Sequence, residues 1–333
     1  MSLEGFFLWR SRAVRWPSMG AAGLLLLAAD AGAFCRTRTC QLRDDIPCPR
    51  DSVTGCYTNG VPVFWKDTCL SYAIQRDGSA ALGISADQIA PLVADAFRAW
   101  SDVICPNGGT PPISALSQGS IACNAVEFNC QVPEANSNLI VFRDDFEDTM
   151  AFRFGVIALT TVTANKNTGE IFDADIEINS RDEEFVLGPV PPGSTARDLR
   201  GVINHEVGHM LGLSHSRELG ALMDDNYQGT LLPTADDTAG ICAIRPGAAA
   251  DPECSVNELQ PDAGCVGSNA SCPSQPQQMQ QAQSSGCDCA LGAGPVSGSR
   301  AASGASGGLG GLLLLGWLGR RRRQRAAAVM GRR

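Results

Sequence analysis

The chain has 333 residues, 44% of them hydrophobic, with 14 cysteines and a formal charge of −9. The charge is segregated: residues 300–333 hold eight arginines and no acid, which leaves residues 34–299 with 15 basic against 33 acidic side chains. An acidic body repels phosphate backbones and excludes nucleic acid as a partner, while it suits calcium.

Arg10, Arg12 and Arg15, an apolar run from Gly20 to Ala29 and the small-residue site Ala31-Gly32-Ala33 read as a cleavable export signal over residues 1–33. The run is too short to span a bilayer. Cleavage after Ala33 leaves Phe34-Cys35 at the start of a Cys-rich segment, residues 34–60. The cysteines are scattered with no C-x-x-C pair, so an exported chain is expected to use them as disulfides in an oxidising compartment.

Residues 61–250 are long enough for one globular domain. Val61 to Trp65 and Cys69 to Gln75 are rich in β-branched and aromatic residues and predict strands. Ser85 and Gln88 form a capping box, and Ile89, Leu92, Val93, Ala96, Phe97 and Trp100 then recur at helical spacing, predicting a long helix packed on a sheet with Phe97 and Trp100 as core anchors. Asn107 to Ser120, broken by Gly108-Gly109 and Pro111-Pro112, reads as loop. Asn138 to Phe142 and Gly155 to Thr163 predict strands, and Asn165 to Gly169 a turn. Ile171 to Asn179 alternates, with Phe172, Ala174, Ile176 and Ile178 on one face and Asp173, Asp175, Glu177 and Asn179 on the other. Two readings stay open for that acidic face: a solvated side of a half-exposed strand, or a calcium site built on Asp173 or Asp175. Thr195 with Asp198 predicts the start of a further helix bearing Leu199, Val202, Ile203 and Met210, and Thr234 with Asp237 caps a last short one bearing Ile241 and Ile244.

The chemistry is concentrated in His205-Glu206-Val207-Gly208-His209-Met210-Leu211-Gly212-Leu213-Ser214-His215, which contains all three histidines of the chain. On a helix, His205 and His209 lie one above the other and can converge on one cation. Gly212 can leave the helix through a left-handed conformation, letting His215 return as a third ligand. Three nitrogens leave one position of a tetrahedral zinc site for a water, and Glu206 beside them can take its proton.

That H-E-x-x-H-x-x-G-x-x-H string resembles the signature of the metzincin zinc proteases, and Ser216 with Ala221-Leu222-Met223 resembles the matrixin branch. The resemblance implies an α+β fold, with a twisted mixed sheet, an active-site helix and a long packing helix, and the activity of a zinc endopeptidase. Met223 would form the Met-turn beneath the zinc, Tyr227 would stand in the wall of the S1′ pocket, and Gly155 to Thr163 would be the edge strand that pairs with an extended protein or peptide substrate. Asp225 stands where matrixins usually carry proline, which leaves open the pocket shape and another metzincin branch. A surface binding protein without turnover is the rival from a different class, and the intact Glu206 speaks against it. No histidine remains for the second, structural zinc of animal matrixins. Only about 27 residues lie between the expected cleavage point and the first strand, too few for a propeptide domain, and Pro47-Cys48-Pro49-Arg50 is not the family's switch sequence, so no cysteine-switch latency is expected.

Past Pro246 the composition turns to Gly, Ala, Ser, Gln and Pro. Cys254, Cys265 and Cys272 predict a small loop-rich segment within residues 251–290, with Gln275 to Ser285 as a linker. Cys287-Asp288-Cys289, an apolar Leu309 to Leu318 and Arg320 to Arg323 resemble the C-terminal sorting tails of myxobacterial surface proteins. The resemblance implies that residues 291–333 are processed, that membrane contact runs only through this tail, and that the enzyme is secreted or displayed on the cell surface.

Overall fold

A computed structural model describes residues 33–42, 46–132, 136–145, 156–244, 251–267 and 284–288. The export signal and the apolar and arginine-rich parts of the tail lie outside the described residues, among which no helix is long and apolar enough to cross a membrane. By internal contacts the chain divides after Leu291, and all of the described residues belong to the first unit.

In chain order the elements are β1 (Cys35–Arg36), a 3-10 turn (Thr39–Leu42), β2 (Phe64–Trp65), β3 (Cys69–Gln75), α1 (Ala86–Ser101), β4 (Ser114–Ile121), β5 (Leu139–Phe142), β6 (Val156–Ala164), β7 (Glu170–Ile178), β8 (Phe185–Val186), β9 (Arg197–Asp198), α2 (Leu199–Met210), β10 (Leu213–Ser214), α3 (Ala235–Ile244) and β11 (Ser284–Asp288). One mixed sheet runs in the order β11-β6-β7-β5-β3-β4, with β2 pairing β7 off the path. Strands β7, β5, β3 and β4 are mutually parallel, and β6 is antiparallel to β7. Helices α1 and α2 bury their apolar stripes on one face of the sheet, against Ile140, Ala174, Ile176 and Ile178.

The long helix forms as its sequence predicts: Ser85 caps it, the Gln88 side chain returns to the cap amide, and Ile89, Val93, Ala96, Phe97 and Trp100 are buried. Four expectations need correction. Residues 114–121 are a strand and not loop; its side chains are small and polar because it is the parallel sheet edge, so pairing with β3 decides its state. The first predicted strand shrinks to Phe64–Trp65. Helix α2 begins at its N-cap Asp198, not at Thr195, because residues 197–198 are held extended by pairing with β8. Strand β6 is not a free edge, since β11 pairs antiparallel along it from Thr161 to Val156.

The far face of the sheet also departs from the expected half-exposed strand. Asp173, Asp175 and Glu177 are 2%, 1% and 6% exposed. Of the residues beyond Pro246, the described 251–267 run as loop along this face. Cys69–Cys254 and Cys123–Cys265 staple them to the sheet, and Leu259 and Ala263 pack on Ala73, Ile121, Leu139 and Val141. Cys35–Cys56, Cys40–Cys48 and Cys105–Cys242 are further bridges, and Cys130 is disulfide-bonded as well.

Asp175 accepts hydrogen bonds from the Leu139 amide at 2.8 Å and the Glu127 amide at 3.2 Å, and its carboxylate bonds to Asp173. Burial, and then the charge of Asp175, push the Asp173 carboxyl well above its ordinary range; burial pushes Asp175 up to about 8. The two carboxyls therefore share a proton at neutral pH. A raised native pKa means stability present below the unfolded value of 3.8 and lost as pH rises through about 8. Asp173→Asn keeps a donor toward Asp175 without the titration, so it is expected to be neutral near pH 4 and stabilising by about 1–3 kcal/mol at pH 8, read from denaturant unfolding at both pH values. If Asp173→Asn instead loses a calcium-dependent stabilisation at pH 8, the pair is a cation site.

Candidate active site

Helix α2 is fixed before it offers any ligand. The Asp198 carboxylate accepts from the Arg200 amide at 3.1 Å, Trp100 Nε1 on α1 donates to Asn204 O at 2.8 Å, and Trp65 Nε1 donates to Met210 O at 2.8 Å. Two indoles thus tie the helix to its neighbours at both ends of the motif. After Met210 the chain turns at Gly212, whose φ of 101° suits glycine, and a Cβ there would stand 3.1 Å from Val63 O. Strand β10 follows, paired antiparallel with β1, and Thr37 donates to Gly212 O through its amide and to Leu213 O through its hydroxyl. The Cys-rich N-terminal segment therefore clamps the strand that delivers His215.

The three imidazoles meet as the spacing predicts. His205 Nε2 lies 3.0 Å from His209 Nε2, which lies 3.1 Å from His215 Nε2. His205 Nδ1 is 2.6 Å from Leu222 O and His209 Nδ1 is 2.9 Å from Leu213 O. A carbonyl only accepts, so Nδ1 carries the proton in both rings and each Nε2 lone pair points into the cluster. Burial, and for His209 and His215 the neighbouring imidazoles, hold all three below the usual histidine range, His205 at about 4. They are neutral at physiological pH, the form in which an imidazole can hold a metal. Tetrahedral zinc with Zn–N bonds of about 2.0–2.1 Å needs nitrogens about 3.3 Å apart, so the donor set fits zinc after a shift of a few tenths of an ångström.

Glu206 is fully buried beside this cluster, and the Thr160 hydroxyl on β6 donates to its Oε2 at 2.7 Å. Met223 is buried beneath the helix. A Cβ on Gly208 would stand 2.4 Å from Met223 Sδ and 2.7 Å from Trp100 Cζ2, so this helical position is glycine because the thioether and the indole fill its place. The turn carrying Met223 is held by Asp237, whose carboxylate accepts from the Leu222 and Met223 amides at 2.7 and 3.0 Å and from Thr234 N and Oγ1 at 2.8 and 2.7 Å. Its neighbour Asp236 accepts from Ser216 Oγ at 2.7 Å and from the Phe34 nitrogen at 2.9 Å. Tyr227 is half-buried beside the first turn of α2, its hydroxyl accepting from the Asp198 amide at 3.1 Å and its ring near Gly201. Asp173 and Asp175 stand apart from all of this, on the opposite face of the sheet.

The sequence brought out the three histidines, Glu206, Met223 and Tyr227. It missed Thr160, which looks like any β-branched strand residue in Leu159-Thr160-Thr161-Val162, and the second role of Asp237, whose position three after Thr234 announced only a helix cap.

Residues 64–245, more than half of the chain, match the matrixin family (peptidase M10). The chain is also similar to Metalloendoproteinase 1-MMP of Arabidopsis thaliana, with 26% identity over 193 residues, which is 56% of this chain and 46% of that protein. It thus spans about half the length of this curated relative. With three neutral imidazoles aimed at one point, a buried carboxylate beside them and a methionine beneath, the chain belongs to the matrixin family of metalloproteases.

Proposed function

We propose that this protein is an exported zinc endopeptidase that hydrolyses peptide bonds of extracellular proteins, with Glu206 as its general base. The observation that carries the reading is the convergence of the three Nε2 atoms beside the buried Glu206. His205, His209 and His215 would hold the metal, which supplies Lewis-acid polarisation of the scissile carbonyl and a more acidic water. Glu206 takes the proton of the attacking water and passes it to the leaving nitrogen. Met223 keeps the floor apolar, and Tyr227 limits the pocket that receives the residue after the cleaved bond. Export is supported by the disulfides and by the fit of Phe34, the residue freed by cleavage after Ala33, whose nitrogen reaches Asp236. Surface display would follow from processing of the tail.

The test is turnover. The exported chain with disulfides intact and zinc supplied is incubated with unfolded casein, and new N-termini are counted by mass spectrometry. Many cuts per chain, without mercurial or proteolytic pretreatment, support the peptidase reading and the absence of a cysteine switch. Casein bound but uncut favours the surface binding protein.

Strand β11 pairs along the β6 edge that an extended substrate strand would use, opposite Thr160 and its neighbours. A substrate adding there must displace it. Of the consecutive Ser285 and Gly286 one amide faces β6, so the double replacement Ser285→Pro with Gly286→Pro removes a ladder donor and is expected to raise kcat/KM for a peptide substrate severalfold, and an unchanged kcat/KM would show that substrates bind elsewhere.

A further inference from the structure

Strand β6 turns Ala158, Thr160 and Val162 toward α2, all of them essentially without exposed surface. The flanking residues are apolar and pack in the core. Thr160 alone brings a hydroxyl to this face, and a buried hydroxyl is unfavourable unless it has a partner. Its partner is Glu206: Thr160 Oγ1 lies 2.7 Å from Glu206 Oε2 and 3.1 Å from Glu206 O. One hydroxyl proton can serve only one of these acceptors at a time. The carboxylate oxygen is the nearer acceptor, and in the ionised form that a general base needs, the charge-assisted bond to it is the stronger of the two.

We infer that Thr160 is the positioning residue of the general base, fixing the rotation of the Glu206 carboxylate through Oε2. The inference rests on the reading of Glu206 as general base. Thr160 donates to Oε2 and so holds one carboxylate oxygen, leaving Oε1 as the oxygen that meets the attacking water. The Thr160 proton stays bonded to Oγ1 throughout, so the only proton transferred is the one that passes from water to Glu206 and on to the leaving nitrogen. The backbone of Thr160 pairs opposite Ile176 whatever its side chain, so valine, β-branched like threonine, can replace it with the ladder intact and only the hydroxyl lost.

Thr160→Val and Thr160→Ser are compared with the parent in the exported, zinc-loaded chain on one fluorogenic peptide. A hydrogen bond to a charged group of about 1.5–3 kcal/mol corresponds to roughly 10- to 150-fold. Thr160→Val is expected to lower kcat by about that factor, with KM within about threefold and zinc per chain unchanged, and Thr160→Ser to recover most of the rate. A second readout needs no activity. In the chelated protein, Thr160→Val should lower the thermal midpoint more in the parent than in a Glu206→Ala background, because the carboxylate partner is already gone from the latter. A Thr160→Val kcat within twofold of the parent, a serine that does not restore it, loss of zinc, or equal midpoint shifts in the two backgrounds would each overturn the inference. A zinc-loaded parent that cleaves nothing would remove the peptidase reading along with it; an active parent with an unchanged valine variant removes this inference alone.

Discussion

Glu206→Gln is expected to lower kcat by at least about 10²- to 10⁴-fold, the range for removing a positioned general base, while the chain still takes up zinc. Glutamine keeps the length of the side chain and an acceptor for the Thr160 hydroxyl, so the packing around a fully buried residue is preserved. It cannot take a proton from water. The three imidazoles and their Leu222 and Leu213 partners are untouched, so metal content separates lost chemistry from lost binding. Peptide hydrolysis and zinc per chain are measured together, and a Glu206→Gln variant within tenfold of the parent would remove Glu206 from the proton path.

Asp237→Ala is expected to have the largest effect on stability, a loss of about 3–5 kcal/mol. The carboxylate is 1% exposed and accepts four hydrogen bonds, two from the Met-turn and two from Thr234. Alanine leaves those donors buried without an acceptor, at about 1–3 kcal/mol for each group that water cannot reach. The same segment carries Leu222 O, which orients His205 through Nδ1. Loosening it should therefore weaken zinc binding about 10- to 100-fold as well, the usual consequence of losing an outer partner of a ligand. Urea unfolding and a competitive zinc titration check both halves. Asp237→Asn should recover part of the stability, since its carbonyl still accepts, and an alanine variant within about 1 kcal/mol of the parent would mean that the Met-turn holds itself.

What could be read from the residues follows from how locally each feature is encoded. The His205–His215 string fixes its own geometry: helical spacing places two rings, Gly212 permits the turn, and the third ring follows. The α1 stripe and its Ser85–Gln88 box are equally local. Strand β4 was not legible, because its Ser, Gln and Gly say nothing of β3 beside it, and pairing of residues distant in sequence made it a strand. The acidic face of β7 shows a related limit. Alternation shows that two faces differ, but not that Glu127, through its amide, and Arg143, through its guanidinium, reach Asp175 and Glu177 on the second one. The same holds for β1 against β10 and for Asp237 under the Met-turn: each is a contact between segments that no local pattern connects.

The most direct measurement is zinc stoichiometry with casein cleavage on the exported chain, before and after chelation and zinc return. One zinc per chain, cleavage lost on chelation and regained with zinc is the expected result. A chain that binds no zinc, or that cuts equally well after its metal has been stripped, would contradict a peptidase built on His205, His209 and His215.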